Sequence, residues 1–214
     1  IGSGAGYSGD RIEPAVELAE QGDLDYLVFE CLAERTIALA QQARISDPQG
    51  GYDPLLSERM RRVLPFVGLK GHRRLRVITN MGAANPVAAA VEVRRIANEL
   101  GQDLKVVAVV GDDVLDVLQP EQRLDNGQTV GSLGERLISA NAYLGVDGIL
   151  EALRADADVV ITGRVADPSL FLAPQMFEFG WAADDWQRLG RGTLVGHLLE
   201  CCLLYTSDAA DERS

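Results

Sequence analysis

Four short apolar runs, residues 25–30 (DYLVFE), 75–79 (LRVIT), 105–110 (KVVAVV) and 158–162 (DVVIT), recur along this chain with helix-like segments between them. Each run is rich in β-branched residues and none alternates clearly, which is how strands covered on both faces read. Ile1 is the stub of a further strand, followed at once by the glycine-rich stretch GSGAGYSGDR. The intervening segments carry helix signals. Residues 14–21 open with a proline, and 33–43 and 54–63 come after the second run. Residues 86–100 (PVAAAVEVRRIANEL) start with proline, space their apolar residues by three and four, and stop before Gly101. Residues 148–155 precede the last strand, and 169–179, 183–189 and 193–201 come after it. Residues 119–133 are polar, contain Asn126-Gly127, and read as an excursion or hairpin. Strand and helix in alternation predict an α/β fold, a mostly parallel sheet with right-handed crossovers and helices on both faces in a Rossmann-like three-layer arrangement.

The 214 residues, 47% hydrophobic, suffice for one such domain. Against 20 Lys and Arg stand 32 Asp and Glu, a net charge of -12 that repels phosphate backbones and anionic membrane surfaces. The expected partner is therefore a small molecule, not nucleic acid or membrane. No apolar run is long enough to span a bilayer, and the three cysteines form no disulfide framework, so a cytoplasmic setting is the expectation.

The informative pattern lies in the junction after each strand. In order these junctions are GSGAGYSGDR, ECLAER, NMGAANP, GDD and GRVADPS. In a parallel sheet all five share the carboxyl edge, where ligands bind in open α/β folds. The opposite junctions, GDLD, HRRL, GQDL and DAD, read as short solvated turns. Gly4, Gly6 and Gly9 fit the spacing G-x-G-x-x-G, and Glu30 ends the second run 21 residues after Gly9, as a ribose-binding acid would in a dinucleotide site. Asp10, Arg11 and Pro14 interrupt the helix that the third glycine should open, so a packing turn or a cradle for an anion or carbonyl competes with the dinucleotide reading.

Asn80 offers an amide to a substrate oxygen, whereas Asn85 caps the helix that begins at Pro86. Of Asp112 and Asp113, one is expected as a helix cap and the other as a general base or magnesium ligand. Arg164 is a planar fork suited to a carboxylate or phosphate, and Asp167 either caps the next helix or pairs with Arg164. Cys31 is a nucleophile or, more simply, an inert thiol. His197, Glu200 and Cys201 lie on one helical face, but one helix alone makes an incomplete metal site, and no metal is expected.

The segments GSGAGYSGDR, DYLVFECLAERT, ITNMGAANP, VVGDDVLD, SANAYLG, ITGRVADPSLFLAP and GTLVGHLLEC resemble, in order, the acyclic terpene utilisation family (AtuA-like proteins). The resemblance runs from residue 1 to about 201. Ser3 departs from it, standing where many relatives are expected to carry cysteine. Residues 202–212 (CLLYTSDAADE) instead resemble a translated sequencing adaptor. The expected organisation is thus a partial domain at 1–201, cut at both ends, and a non-native read-through tail at 202–214.

The resemblance implies bacterial breakdown of citronellol- or geraniol-type isoprenoids through acyl-CoA intermediates. The leading expectation is an enzyme acting on a branched acyl-CoA or its acid by hydration, the reverse, or carbon–carbon cleavage. Gly4, Gly6 and Gly9 would cradle an anionic group beside Glu30. Asn80 would fix a carbonyl, Arg164 would orient a carboxylate or phosphate, and Asp112 or Asp113 would move a proton. The alternatives are a non-catalytic partner of an acyl-CoA carboxylase or hydratase system and a dinucleotide-dependent oxidoreductase. Expected assemblies are a homo-oligomer or a complex with other terpene-catabolism subunits.

Overall fold

The computed structural model describes residues 1–70 and 72–201; the tail expected at 202–214 lies outside them. Five strands run parallel: β1 (Gly2–Ala5), β2 (Tyr26–Phe29), β4 (Arg73–Thr79), β5 (Val106–Val109) and β6 (Val159–Thr162), in the spatial order β1-β2-β4-β6-β5. Strand β3 (Gly68–Lys70) pairs antiparallel with the start of β4, Gly68 opposite Leu75. The expected turn at HRRL is therefore the entry to a small hairpin, because the arginines stay extended while pairing with β3.

Seven α-helices surround the sheet among the described residues: α1 (Glu13–Gln21), α2 (Glu34–Ser46), α3 (Leu56–Val63), α4 (Pro86–Glu99), α5 (Asp147–Arg154), α6 (Ser169–Phe179) and α7 (Trp186–Cys201). Alternation along each strand splits the core into two. Leu27, Phe29, Val77 and Ile161 face α1, α3 and α4, packing on Ala15, Met60 and Val93. Tyr26, Val28, Ile78 and Val160 face α5 and α6, packing on Leu153 and Phe171. The α/β fold with a parallel sheet and helices on both faces is as the residues predict.

Two boundaries differ. The first strand is not confined to Ile1. It runs through the glycines, because the Leu24 side chain and the Phe29 ring fill the space that side chains at Gly2 and Gly4 would need. The two helices expected at 183–189 and 193–201 are one, α7. Its interior Gly192 lies against Leu172 and Trp181, so tertiary packing outweighs the helix-breaking tendency that suggests a gap. Residues 119–133 do form a hairpin-like excursion, bridged at Arg123 and Thr129 and turned at Gly127 with φ of 81°. Among the described residues no helix is long and apolar enough to cross a membrane.

The turns after β4 and β6 touch. A Cβ at Gly82 would lie 2.5 Å from the Thr162 carbonyl oxygen, and one at Gly163 would lie 2.6 Å from the Asp112 carboxylate and 2.9 Å from the Ala83 carbonyl oxygen. These neighbours are largely backbone and cannot swing aside. We expect Gly82→Ala to cost about 2 kcal/mol through strain of this kind, whereas Gly145→Ala, with open space around it, leaves stability unchanged. Denaturant titration of the two variants checks this.

Candidate functional site

The carboxyl ends of β1, β2 and β4, together with α2, surround a pocket of about 260 Å³. Helix α2 contributes Thr36, Leu39, Ala40 and Ala43, and the rest of the wall includes Leu32, Tyr52, Met81 and Ala83. The four α2 residues stand at i, i+3, i+4 and i+7, the stripe that an amphipathic helix ordinarily presses into a core. Here it faces open space. Ala83 has φ of 48°, a left-handed conformation that costs energy in a residue with a Cβ, and it sits in this wall.

The polar members are Ser8, Cys31, Asp53 and Asn80. Ser8 donates its hydroxyl to Asp53 Oδ2 at 2.5 Å, and Asp53 Oδ1 accepts the Leu55 N–H at 2.8 Å. Behind them Arg59 is wholly buried. Its guanidinium lies 3.8 Å from Asp53 and donates to the Asp10 carbonyl at 2.8 Å and to Cys31 Sγ at 3.2 Å. Burial pushes the Asp53 carboxyl above the usual carboxylate range, against the Ser8 and Leu55 hydrogen bonds and the Arg59 charge. Burial likewise pushes the Cys31 thiol well up, Arg59 opposing, so the thiol is the resting form.

Asn80 acts as a brace between the ends of β2 and β4. Its Oδ1 accepts the Cys31 N–H at 2.7 Å and its Nδ2 donates to Glu30 Oε1 at 2.8 Å. Glu30 also accepts the Leu32 N–H at 2.9 Å. Its carboxyl titrates at about 7, raised first by burial and further by Asp167 and Glu200, against the Asn80 and Leu32 hydrogen bonds.

The glycine loop divides. Gly4 is inside β1, and the Gly6 N–H is taken by the Asp10 carboxylate at 3.0 Å. A side-chain anion thus occupies the donor that a pyrophosphate needs. Helix α1 begins only at Glu13, and Glu30 is buried in protein hydrogen bonds. This arrangement speaks against a dinucleotide at the glycine loop; Gly9 packs beside the Tyr7 ring.

Asp112, Asp113 and Arg164 share the carboxyl rim but do not line this pocket. Asp112 is buried and accepts the Arg164 N–H at 2.9 Å and the Asn141 amide at 3.0 Å. Neither aspartate caps an α-helix; Asp113 Oδ1 accepts the Leu115 N–H at 3.3 Å, at the start of the 3-10 turn Leu115–Val117. Asp113 pairs with Arg44 at 3.5 Å. Arg164 is buried, donates to the Leu32 carbonyl at 2.9 Å and to Asp167 at 3.3 Å, and lies 4.7 Å from the Tyr143 ring centre. Asp167 is thus the partner of Arg164, not a cap, while Asn85 caps α4 by accepting the Ala88 N–H. His197 pairs with Glu200 at 3.5 Å, and the Cys201 side chain lies outside the described residues. Among the described residues no group of three or more His, Cys, Asp or Glu is placed to hold a metal ion.

Sequence reasoning misses Asp53 and Arg59. Asp53-Pro54 before a helix reads as a cap, and Arg59 is one of three arginines in SERMRRV with no local mark of burial. The signal that could have found them is the stripe at Thr36, Leu39, Ala40 and Ala43, whose apolar spacing continues no obvious core.

Glu30 makes a pH prediction. Folding raises its carboxyl from the ordinary 4.5 to about 7, so the folded chain keeps a proton that the unfolded chain has released. Stability from this group is therefore present below pH 4.5 and drains away as pH rises to 7. Glu30→Gln cannot lose that proton. Its stability relative to the parent should rise by about 2–3 kcal/mol between roughly pH 4.5 and 7.5, measured by denaturant titration at the two pH values.

No curated protein and no solved structure matches the chain. One family model does, over residues 1–208, and it is described as acyclic terpene utilisation family protein AtuA. That span takes in every strand of the sheet and every residue of the pocket, so the family extends across the whole site. The chain belongs to the acyclic terpene utilisation family AtuA.

Proposed function

We propose that this protein acts in acyclic terpene breakdown on a branched isoprenoid acid or its coenzyme A thioester, by hydration- or lyase-type chemistry. The observation that carries the reading is the pocket itself: an apolar stripe of α2 faces Met81 and Ala83 across a space of about 260 Å³, with Ser8 and Asp53 as a hydrogen-bonded pair in its wall. A space of this size suits an acyl chain. It is smaller than the roughly 300–1,000 Å³ typical of drug-sized ligands, so a nucleotide moiety would remain outside.

In this reading Asp53 moves the proton. Its buried carboxyl is easier to protonate than an exposed one, and Ser8 is the hydroxyl through which it reaches the pocket. Arg59 limits that rise, so that the carboxylate remains available as a base. Asn80 holds the backbone at Cys31 and thereby the shape of the floor. The proton transfer expected of Asp112 or Asp113 passes to Asp53, because those two aspartates hold the neighbouring turns together. The acidic surface leaves membranes and nucleic acid poor partners.

Two variants test this. Ala40→Phe adds a ring to the pocket wall, and calorimetry should show binding of citronellic acid weakened by about tenfold or more. Asp53→Asn should keep that binding and lower hydration of the corresponding enoyl thioester by about 10²-fold. Unchanged binding by Ala40→Phe would place the ligand elsewhere. Full turnover by Asp53→Asn would remove its role. Binding without turnover in the parent protein would favour a non-catalytic partner of an acyl-CoA carboxylase or hydratase.

A further inference from the structure

We propose that α2 is a movable roof over the pocket and that Tyr143 and Asp113 are the positioning residues that latch it shut. The inference rests on reading the pocket as the ligand site. It adds how a ligand enters.

A helix that spends its apolar stripe on a cavity has little left to anchor it. Of the 13 residues of α2, only Ile37 and Ala40 are buried, and Leu39 is 53% exposed. Ile37 and Ala40 pack in a small cluster with Leu32, Ala83 and Ala84, and the helix's polar attachments lie at its two ends. In the first turn, Glu34 accepts the Tyr143 hydroxyl at 2.5 Å. This bond lowers the Glu34 carboxyl and raises the Tyr143 phenol, so the pair stays intact around neutrality. In the last turn, Arg44 donates to the Ala84 carbonyl at 2.7 Å and meets Asp113 at 3.5 Å.

Tyr143 and Asp113 sit on one piece of chain, the connection from β5 to α5. The Asp113–Asn141 bridge and the Ala142 N–H to Asp112 carbonyl bond at 2.7 Å fold this piece back on itself. Arg164 fixes it to the floor. The guanidinium supports the Tyr143 ring on one side and holds the Leu32 carbonyl, at the threshold of α2, on the other. One buried arginine thus joins the latch, the roof's hinge end and the sheet rim. The latching contacts themselves are solvent-exposed, and such pairs are weak and reversible. A roof held this way opens by parting one small apolar cluster while leaving the two main cores of the sheet intact.

The test uses Tyr143→Phe, which keeps the ring on Arg164 and removes only the hydroxyl bond, and Asp113→Asn, singly and combined, in the whole chain. Each contact should slow opening by up to about fivefold. The double variant should therefore exchange amide hydrogens of residues 34–46 faster than either single variant, by up to about 25-fold over the parent, while α4 exchanges as in the parent. Stopped-flow uptake of citronellic acid should accelerate with it, and Asp113→Glu should return both readouts toward the parent. Unchanged exchange at 34–46, or acceleration shared equally by α4, would overturn the latch. Faster exchange with unchanged uptake would overturn the gating role. If the parent takes up no citronellic acid, the ligand reading fails, and the exchange result alone still decides whether the latch exists.

Discussion

The contact on which the arrangement depends is the backbone approach of the β4 and β6 turns through Gly82 and Gly163. With the strands ordered β1-β2-β4-β6-β5, the chain leaves β4 toward the α4 face and leaves β6 toward the α6 face. Ligands of open α/β folds ordinarily bind in the crevice that opens between two such strands. Here the crevice is closed, because only hydrogen atoms separate Gly82 from the Thr162 carbonyl and Gly163 from Asp112 and the Ala83 carbonyl. The open space moves one strand over, to the carboxyl ends of β2 and β4. There α2 bridges the gap without filling it.

That displacement explains the division of labour around the rim. On the β4–β6 side the polar groups hold turns together: Asp112 binds the Arg164 and Asn141 N–H groups, and Arg164 holds Leu32 and Asp167. On the β2–β4 side, the polar groups face space. Ser8, Cys31 and Asp53 stand over the buried Arg59, whose positive charge opposes the upward push of burial on the Asp53 carboxyl and the Cys31 thiol. Glu30 and Asn80 lie between the two sets and tie the ends of β2 and β4 together.

The sheet is legible in the residues themselves. Runs such as DYLVFE and DVVIT are too short and too uniformly apolar to be anything but strands covered on both faces. Convergence of the junctions is a consequence of parallel pairing alone, and the structure places all five on one rim. Commitment is not legible. Asn80, Asp112 and Arg164 look alike as rim residues whether free or bonded, and only their partners, distant in sequence, reveal which polar atoms are engaged; Arg164 Nη1 is bonded, whereas its Nη2 is buried without a hydrogen-bond partner among the described residues. Gly4 misleads for the same reason, since the Phe29 ring that requires it lies 25 residues away. Asp53 escapes notice because its local context as a turn before α3 is a sufficient structural explanation. Arg59 is invisible because burial of one arginine among three is decided by packing between β1, β2 and α3.

The claim that the ligand space lies beneath α2, and not at the closed β4–β6 crevice, is tested most directly by methyl-resolved NMR during titration with citronellic acid. The account predicts that signals of Leu39, Ala40, Ala43, Met81 and Ala83 move together and saturate at one concentration, while Ile149 and Leu153 on the opposite face of the sheet stay fixed. Movement centred on Ile149 and Leu153, with the α2 methyls unchanged, would contradict it.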